Sequence, residues 1–414
     1  MTTWRRERLK HLASVRVSNV DKKTAEGELV VRLCNYTDVY YNDSITAGLP
    51  FMEATATADQ AARFALRRGD TVITKDSETA DDIAVPAFVA EDMPGIVCGY
   101  HLAVIRPKPG VDPKYLYWCL ASSALRDQFS VDATGVTRFG LRSESIANAR
   151  IAMPDVATQR TLADFLDAET ARIDALLTRC ERLIKLIGAR PWQAFVNEVS
   201  RLAGAPRVPI RRTLVSICDG PFGSAFSSGD YVADGAAVIR LGNIGFGKFR
   251  SADLARIPLT MFQEFRRHEV RRGDVLIAGL GDERNHAGRA TVAPDLGPAI
   301  VKGKCFCARV DSTVASAAYL ALYLSSSLGA EGLSVETRGS TRMMINLEIL
   351  KSSTMPLPPI EVQDCIVRAF EEGSNEASRL TVSMARQAAL LREHRQALIT
   401  AAVTGEIDVK RKAS

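Results

Sequence analysis

Arg67-Arg-Gly-Asp-Thr-Val-Ile73 returns 204 positions later as Arg271-Arg-Gly-Asp-Val-Leu-Ile277. Each copy is a charged Gly-Asp turn running into a short apolar stretch, which reads as the entry to a strand. The same interval carries Tyr115-Leu116 onto Tyr319-Leu320 and Gly135-Val-Thr-Arg138 onto Gly339-Ser-Thr-Arg342. It also carries Pro154 and Gln159 onto Pro358 and Gln363. Leu33-Cys-Asn35 and Leu241-Gly-Asn243 correspond across a small insertion. One register kept over so many elements is duplication, so the chain is two copies of a unit of about 200 residues.

Within each unit, apolar runs punctuated by Gly, Pro, Asn and Asp predict strands at 70–75 and 99–106, and again at 274–278 and 305–310. One helix is expected from Pro113 to Phe129, with a counterpart from Ala317 to Leu328. After Pro154 the pattern turns to heptads. Leu162, Leu166, Glu169, Ile173, Leu176, Cys180, Leu183 and Ile187 alternate steps of four and three, as in a coiled-coil seam. A second seam follows Pro359 through Ile366, Phe370, Ala377, Leu380, Met384, Leu391 and Leu398. Gly373, Gln387 and His394 weaken it, and Gly405 ends it. Pro191 is expected to end or kink the first helix, although Gln193-Ala-Phe-Val196 resembles Gln396-Ala-Leu-Ile399 and points to helix beyond it. Neither amphipathic rod is stable alone, so each is the natural partner of the other. The fold class expected is α+β: two similar mixed α/β domains separated by two long antiparallel coiled-coil helices, pseudo-twofold through the duplication.

The 414 residues are 46% hydrophobic and 24% charged, which excludes disorder and collagen-like repetition. No run of about 20 apolar residues suggests a membrane span, and the charged start Trp4-Arg-Arg-Glu-Arg8 lacks a signal core, so a cytoplasmic protein is expected. Eight cysteines without a Cys-x-x-Cys pair make neither a disulfide framework nor a zinc site. Basic residues exceed acidic by five, 53 against 48, which is compatible with local basic surfaces but announces no nucleic acid by itself. No phosphate loop, methyltransferase tetrad or nucleophile elbow is present, so no catalytic residue, cofactor or metal is assigned.

The ordered motifs resemble the specificity subunit of a type I restriction-modification system. The resemblance rests on Leu33-Cys-Asn-Tyr-Thr-Asp-Val39, Gly69-Asp-Thr-Val-Ile-Thr-Lys-Asp-Ser-Glu78 and Ile83-Ala-Val-Pro86 in the first half. In the second half it rests on Asp219-Gly-Pro-Phe-Gly-Ser224, Val238-Ile-Arg-Leu-Gly-Asn243 and Gly339-Ser-Thr-Arg342. The helix lead-ins Met153-Pro-Asp-Val-Ala-Thr-Gln-Arg160 and Leu357-Pro-Pro-Ile-Glu-Val-Gln363 also match, as do Ile173-Asp-Ala-Leu-Leu177 and the stretch from Gln396 to Asp408. It implies target-recognition domains at 1–154 and 205–358, spacer helices at 155–204 and 359–406, and a basic tail at 407–414. It further implies that each domain reads one half of a bipartite, asymmetric double-stranded DNA target. Two modification (methyltransferase) subunits would be held on the helices, with restriction (translocase/endonuclease) subunits joining them, and no membrane is involved.

Candidate DNA-contacting residues follow from chemistry and position. Thr137, Arg138 and Arg142 lie in a loop with hydroxyl, glycine and arginine together, as do Arg338, Ser340, Thr341 and Arg342 in the second copy; such a loop suits phosphates or guanine. An ordinary surface turn accounts for either equally well. Lys75 and Ser77, and Arg284, Asn285 and His286, follow equivalent strands and are placed to reach base edges, while Lys302 and Lys304 are candidate phosphate contacts. Solvated loop tips are the plain alternative. Asp70, Lys75 and Glu78 suggest a metal-nuclease set, but the second copy, which keeps Asp274, has Gly279 in place of Lys75. Two other functions remain open: an autonomous DNA-modifying enzyme or nuclease, and a coiled-coil scaffold of another DNA-bound assembly.

Overall fold

The computed structural model describes residues 4–202, 204–221, 225, 227–336 and 344–407. It divides into two compact units, residues 1–181 with 385–414, and residues 182–384.

In the first unit a five-stranded sheet runs in the order Ala13–Val17, Leu102–Pro107, Thr71–Thr74, Pro86–Val89, Ser44–Ile45, antiparallel except for the last pair. A three-stranded sheet orders Met52–Ala56, Leu29–Cys34, Ile96–Cys98, the first pair antiparallel and the second parallel. Val72, Leu102 and Val104 pack with Val31, Leu33 and Ala54 in one core, while Ile73, Ala103 and Ile105 pack with Tyr115, Leu116 and Leu120 of a helix in another. Burial on both faces is why these strands read as continuous apolar runs rather than as alternation.

The second unit repeats this plan. Its larger sheet orders Leu214–Asp219, Cys305–Val310, Val275–Ala278, Ala290–Val292, all antiparallel and one strand shorter than in the first unit, and its smaller one orders Ala255–Ile257, Ala236–Ile239, Ala299–Val301, the first pair antiparallel and the second parallel as before.

The Arg-Gly-Asp turn that opened the sequence argument is structural in both copies. Asp70, 1% exposed, accepts a bond from the Arg67 amide and a two-pronged one from Arg106 on the neighbouring strand, at 2.7 and 2.6 Å. Asp274 does the same with Arg271 and Arg309, at 3.0 and 2.8 Å. Gly69 and Gly273 hold φ of +87° and +89°, where a side chain is strained. The Pro-to-Gln motif is a clamp: buried Gln159 donates to the Pro154 carbonyl and accepts from the Asp112 amide, and Gln363 donates to Pro358 and accepts from Ser316.

Three expectations need correction. Where one helix was expected from Pro113 to Phe129 there are two, Pro113–Ala121 and Ser123–Asp132, and the counterpart is Ala317–Ser325 followed by Ser327–Glu336. The breaks fall at Ser122 and Ser326, each extended, whose hydroxyls bond the carbonyls three residues back, of Cys119 and Tyr323, at 2.6 Å.

The long helices are Val156–Arg201 and Ile360–Thr404, the second closed by Gly405 at φ +80° with the Glu406 amide bonded to Ala401. Pro191 interrupts neither helix nor packing. It is buried inside Val156–Arg201, and Gly373 comes opposite it, close enough that an added Cβ would lie 3.9 Å from the ring.

The seam also runs in a different register. Leu176 and Leu183 are 44% and 37% exposed, while Thr170, Leu177 and Ile184 turn inward beside Leu166, Ile173 and Cys180. On the second helix Gln387 and His394 are exposed and Ala388 and Arg395 take the inward places.

In the first unit Arg395 bonds Asp174 at 3.0 Å and Arg392 bonds Glu181 at 3.0 Å, so the helices run antiparallel there; Leu162 and Leu166 share a core with Ile399, Ala402 and Val403. In the second unit Trp192 and Phe195 set their rings edge-on against Phe370.

Candidate nucleic-acid interface

Two candidate groups distant in sequence meet in the first unit. The short strand Phe139–Gly140 pairs with Asp76–Ser77, setting Phe139 opposite Ser77 and Gly140 opposite Asp76, and the Leu141 amide donates to the Lys75 carbonyl at 2.8 Å. Gly135 closes the loop that carries Thr137 and Arg138. Its φ is +152°, and a Cβ there would fall 1.9 Å from the Arg138 carbonyl oxygen, so only glycine allows the turn. Thr137, Arg138 and Arg142 are exposed, and Ser77 is buried beneath them.

Ser77, Thr137 and Arg138 line an open cleft of about 550 Å³ with Tyr36, Thr37, Tyr40, Tyr41, Asp76, Glu78, Thr79 and Asp82. Tyr36–Tyr40 is a helix, capped at Asn35, whose amide bonds the Asp38 carboxylate at 2.7 Å. The helix stacks the Tyr36 and Tyr40 rings at 5.3 Å and leaves Tyr41 76% exposed. Tyr40 donates to Asp82 at 2.6 Å, a bond that pushes its hydroxyl up to about 12. Asp76 is held by Lys75 at 3.1 Å and His101 at 2.6 Å, and the Lys75 ammonium sits 4.9 Å from the centre of the Tyr100 ring. Lys75 is thus largely committed within the fold. Among the described residues neither Glu78 nor Arg138 has a hydrogen-bond or ion-pair partner. The tyrosines and Asp82 were not picked out as candidates, and Glu78 was singled out only as part of a metal set; the run Tyr36, Tyr40, Tyr41 behind an Asn cap was the available signal.

The second unit repeats the junction in the same register. Leu280 bridges Met344, and the Ile345 amide donates to the Gly279 carbonyl at 2.9 Å, each partner 204 positions beyond its equivalent. The loop bearing Arg338, Ser340, Thr341 and Arg342 lies outside the described residues, as do 222–224 of the Asp219–Ser224 motif and the tail from 408.

Asp282 organises the neighbouring loop by accepting from the Arg284 and Asn285 amides and the Asn285 side chain, bonds that hold its carboxyl below the usual range. His286 directs its ring nitrogens to the carbonyls of Ala287 and Ser325, at 2.9 and 3.2 Å. Arg284 is exposed. Beneath them Arg289, 5% exposed, donates to the carbonyls of Leu241, Ile244, Leu280 and His286; burial lowers its pKa, and these bonds fix the loop. Lys302 bonds the Tyr231 hydroxyl at 2.7 Å, and Lys304 is half-buried. The structure therefore brings Ser77, Thr137 and Arg138 together on one cleft and places Arg284, Asn285 and His286 on a separate loop of the other unit.

Among the described residues no group of His, Cys, Asp and Glu is arranged to hold a metal ion, and no helix is long and apolar enough to cross a membrane.

No protein-family model matches the chain. It is 23% identical over 313 residues to the type I restriction enzyme EcoBI specificity subunit of Escherichia coli, an alignment covering 69% of this chain and 64% of that protein. It is 21% identical over 337 residues to the StySPI specificity subunit of Salmonella potsdam, covering 77% and 70%. A solved chain described under complex assembly and conformational transition of the type I R-M system matches at a TM-score of 0.66 and 18% identity, over 98% of this chain and 99% of that one. The HsdS subunit from Thermoanaerobacter tengcongensis matches at 0.51 and 18%, over 98% of both. In sequence the chain is thus similar to type I restriction-enzyme specificity subunits, and its fold is like that of the two solved chains.

Proposed function

We propose that this chain is the non-catalytic DNA-recognition subunit of a type I restriction-modification complex in the cytoplasm. Residues 1–154 and 205–358 each read one half of a bipartite, asymmetric target. The helices spanning 155–204 and 359–406 hold two methyltransferase subunits, and restriction subunits join through them. The observation that carries this reading is a framework whose Gly-Asp turn, Gln clamp and strand-junction bonds recur in both copies beside surfaces that differ. The strand junctions at Asp76–Gly140 and Leu280–Met344 are equivalent, yet one borders a tyrosine-lined cleft and the other a loop built on Asp282 and Arg289. A duplicated reader with divergent surfaces suits two different half-sites.

The test is methylome sequencing of a host with the methyltransferase gene, with and without this gene. A methylated two-part motif that appears only with this gene is the expected result. Methyl transfer by the purified chain alone would instead support an autonomous enzyme.

A further inference from the structure

On the reading of the first domain as a DNA reader, we infer that its cleft takes the major-groove edge of a G·C base pair, with Arg138 on the guanine and Glu78 on the cytosine amine. The cleft holds one guanidinium and one carboxylate that are exposed and have no partner among the described residues, and they do not pair with each other. A ligand satisfying both must offer acceptors and a donor side by side. A G·C pair does so, through guanine N7 and O6 and the cytosine N4 amine. The other charges in the cleft argue against a phosphate. Asp76, Glu78 and Asp82 outnumber Arg138 along its lining, and of the three carboxylates Asp76 is the one tied to a lysine, Lys75. A backbone phosphate would be repelled where a base amine is attracted. The two carboxylates other than Glu78 are already engaged, Asp82 by Tyr40 and Asp76 by Lys75 and His101, which leaves Glu78 as the acceptor.

The experiment uses the full chain reconstituted with its methyltransferase subunit, and duplexes in which each base pair of the methylated motif is replaced in turn. Glu78→Gln and Arg138→Lys are compared with the wild type. Arg138→Lys keeps the charge but loses the two-pronged fork that guanine requires. Both variants are expected to lower discrimination at one and the same G·C position of the first half-site by roughly 5- to 150-fold, leaving the second half-site unchanged. Two results overturn the inference. One is a profile identical to wild type. The other is weakening by Arg138→Lys that is uniform across all duplexes, which marks a phosphate contact. If the wild-type complex itself distinguishes no base pair, the DNA-reading proposal fails instead, so the two failures are separable.

Discussion

Asp70 and Asp274 show how a short motif can be read for one purpose and serve another. In sequence Asp70, Lys75 and Glu78 suggest a metal site, but the fold buries Asp70 under Arg106 and turns Glu78 into a cleft. Nothing in the residue order distinguishes these outcomes; the neighbouring strand that delivers the arginine decides. Replacing Asp70 with Ala leaves Arg106 without its partner, and a loss of about 3–5 kcal/mol is expected in denaturant unfolding. The turn glycines give a finer contrast. Gly69→Ala and Gly273→Ala both force a side chain to positive φ, at about 1–2 kcal/mol each. Gly69→Ala should be the worse, because its Cβ would meet Pro113 at 3.3 Å while nothing lies within 4 Å at Gly273. Equal losses in the two variants would contradict that reading. Of the candidate contact residues, Ser77, Thr137 and Arg138 were legible because duplication marked their loops. Tyr36, Tyr40 and Tyr41 were not, since a strand junction between 76–77 and 139–140 brings them to the same cleft.

At the scale of elements, the strands and the two long helices were legible because burial on both strand faces and along a helix stripe leaves period in the sequence. The register of the helix stripe was not. Leu176-Leu177 and Leu183-Ile184 offer two apolar residues at each step, so alternation of three and four fits either choice; packing selects the second. Leu177→Ala is therefore expected to cost about 2 kcal/mol and Leu176→Ala about 0.5 kcal/mol or less, measured by thermal unfolding of the full chain. The reverse order would restore the register read from sequence. Pro191 misled for a related reason. A proline costs its helix a hydrogen bond, but a buried ring opposite Gly373 returns packing that no local rule records. The Ser122 and Ser326 breaks were equally silent, as a serine hydroxyl bonding back three residues leaves no pattern beyond the serine itself.

For the molecule as a whole, a net charge of only +5 over 414 residues supplies little long-range attraction to DNA. The isolated chain is expected to bind duplexes weakly and with strong salt dependence, and to gain base discrimination when methyltransferase subunits join, as titrations at two salt concentrations would show. Tight, salt-insensitive, sequence-specific binding by the chain alone would count against a subunit that works only in assembly. The central claim is that the two copies read independently, and exchanging residues 1–154 for the equivalent domain of a relative with a different target tests it most directly. Methylome sequencing of cells carrying the exchanged chain with its methyltransferase should show one half of the motif replaced and the other half retained. A motif in which both halves change together, or neither does, would contradict the claim.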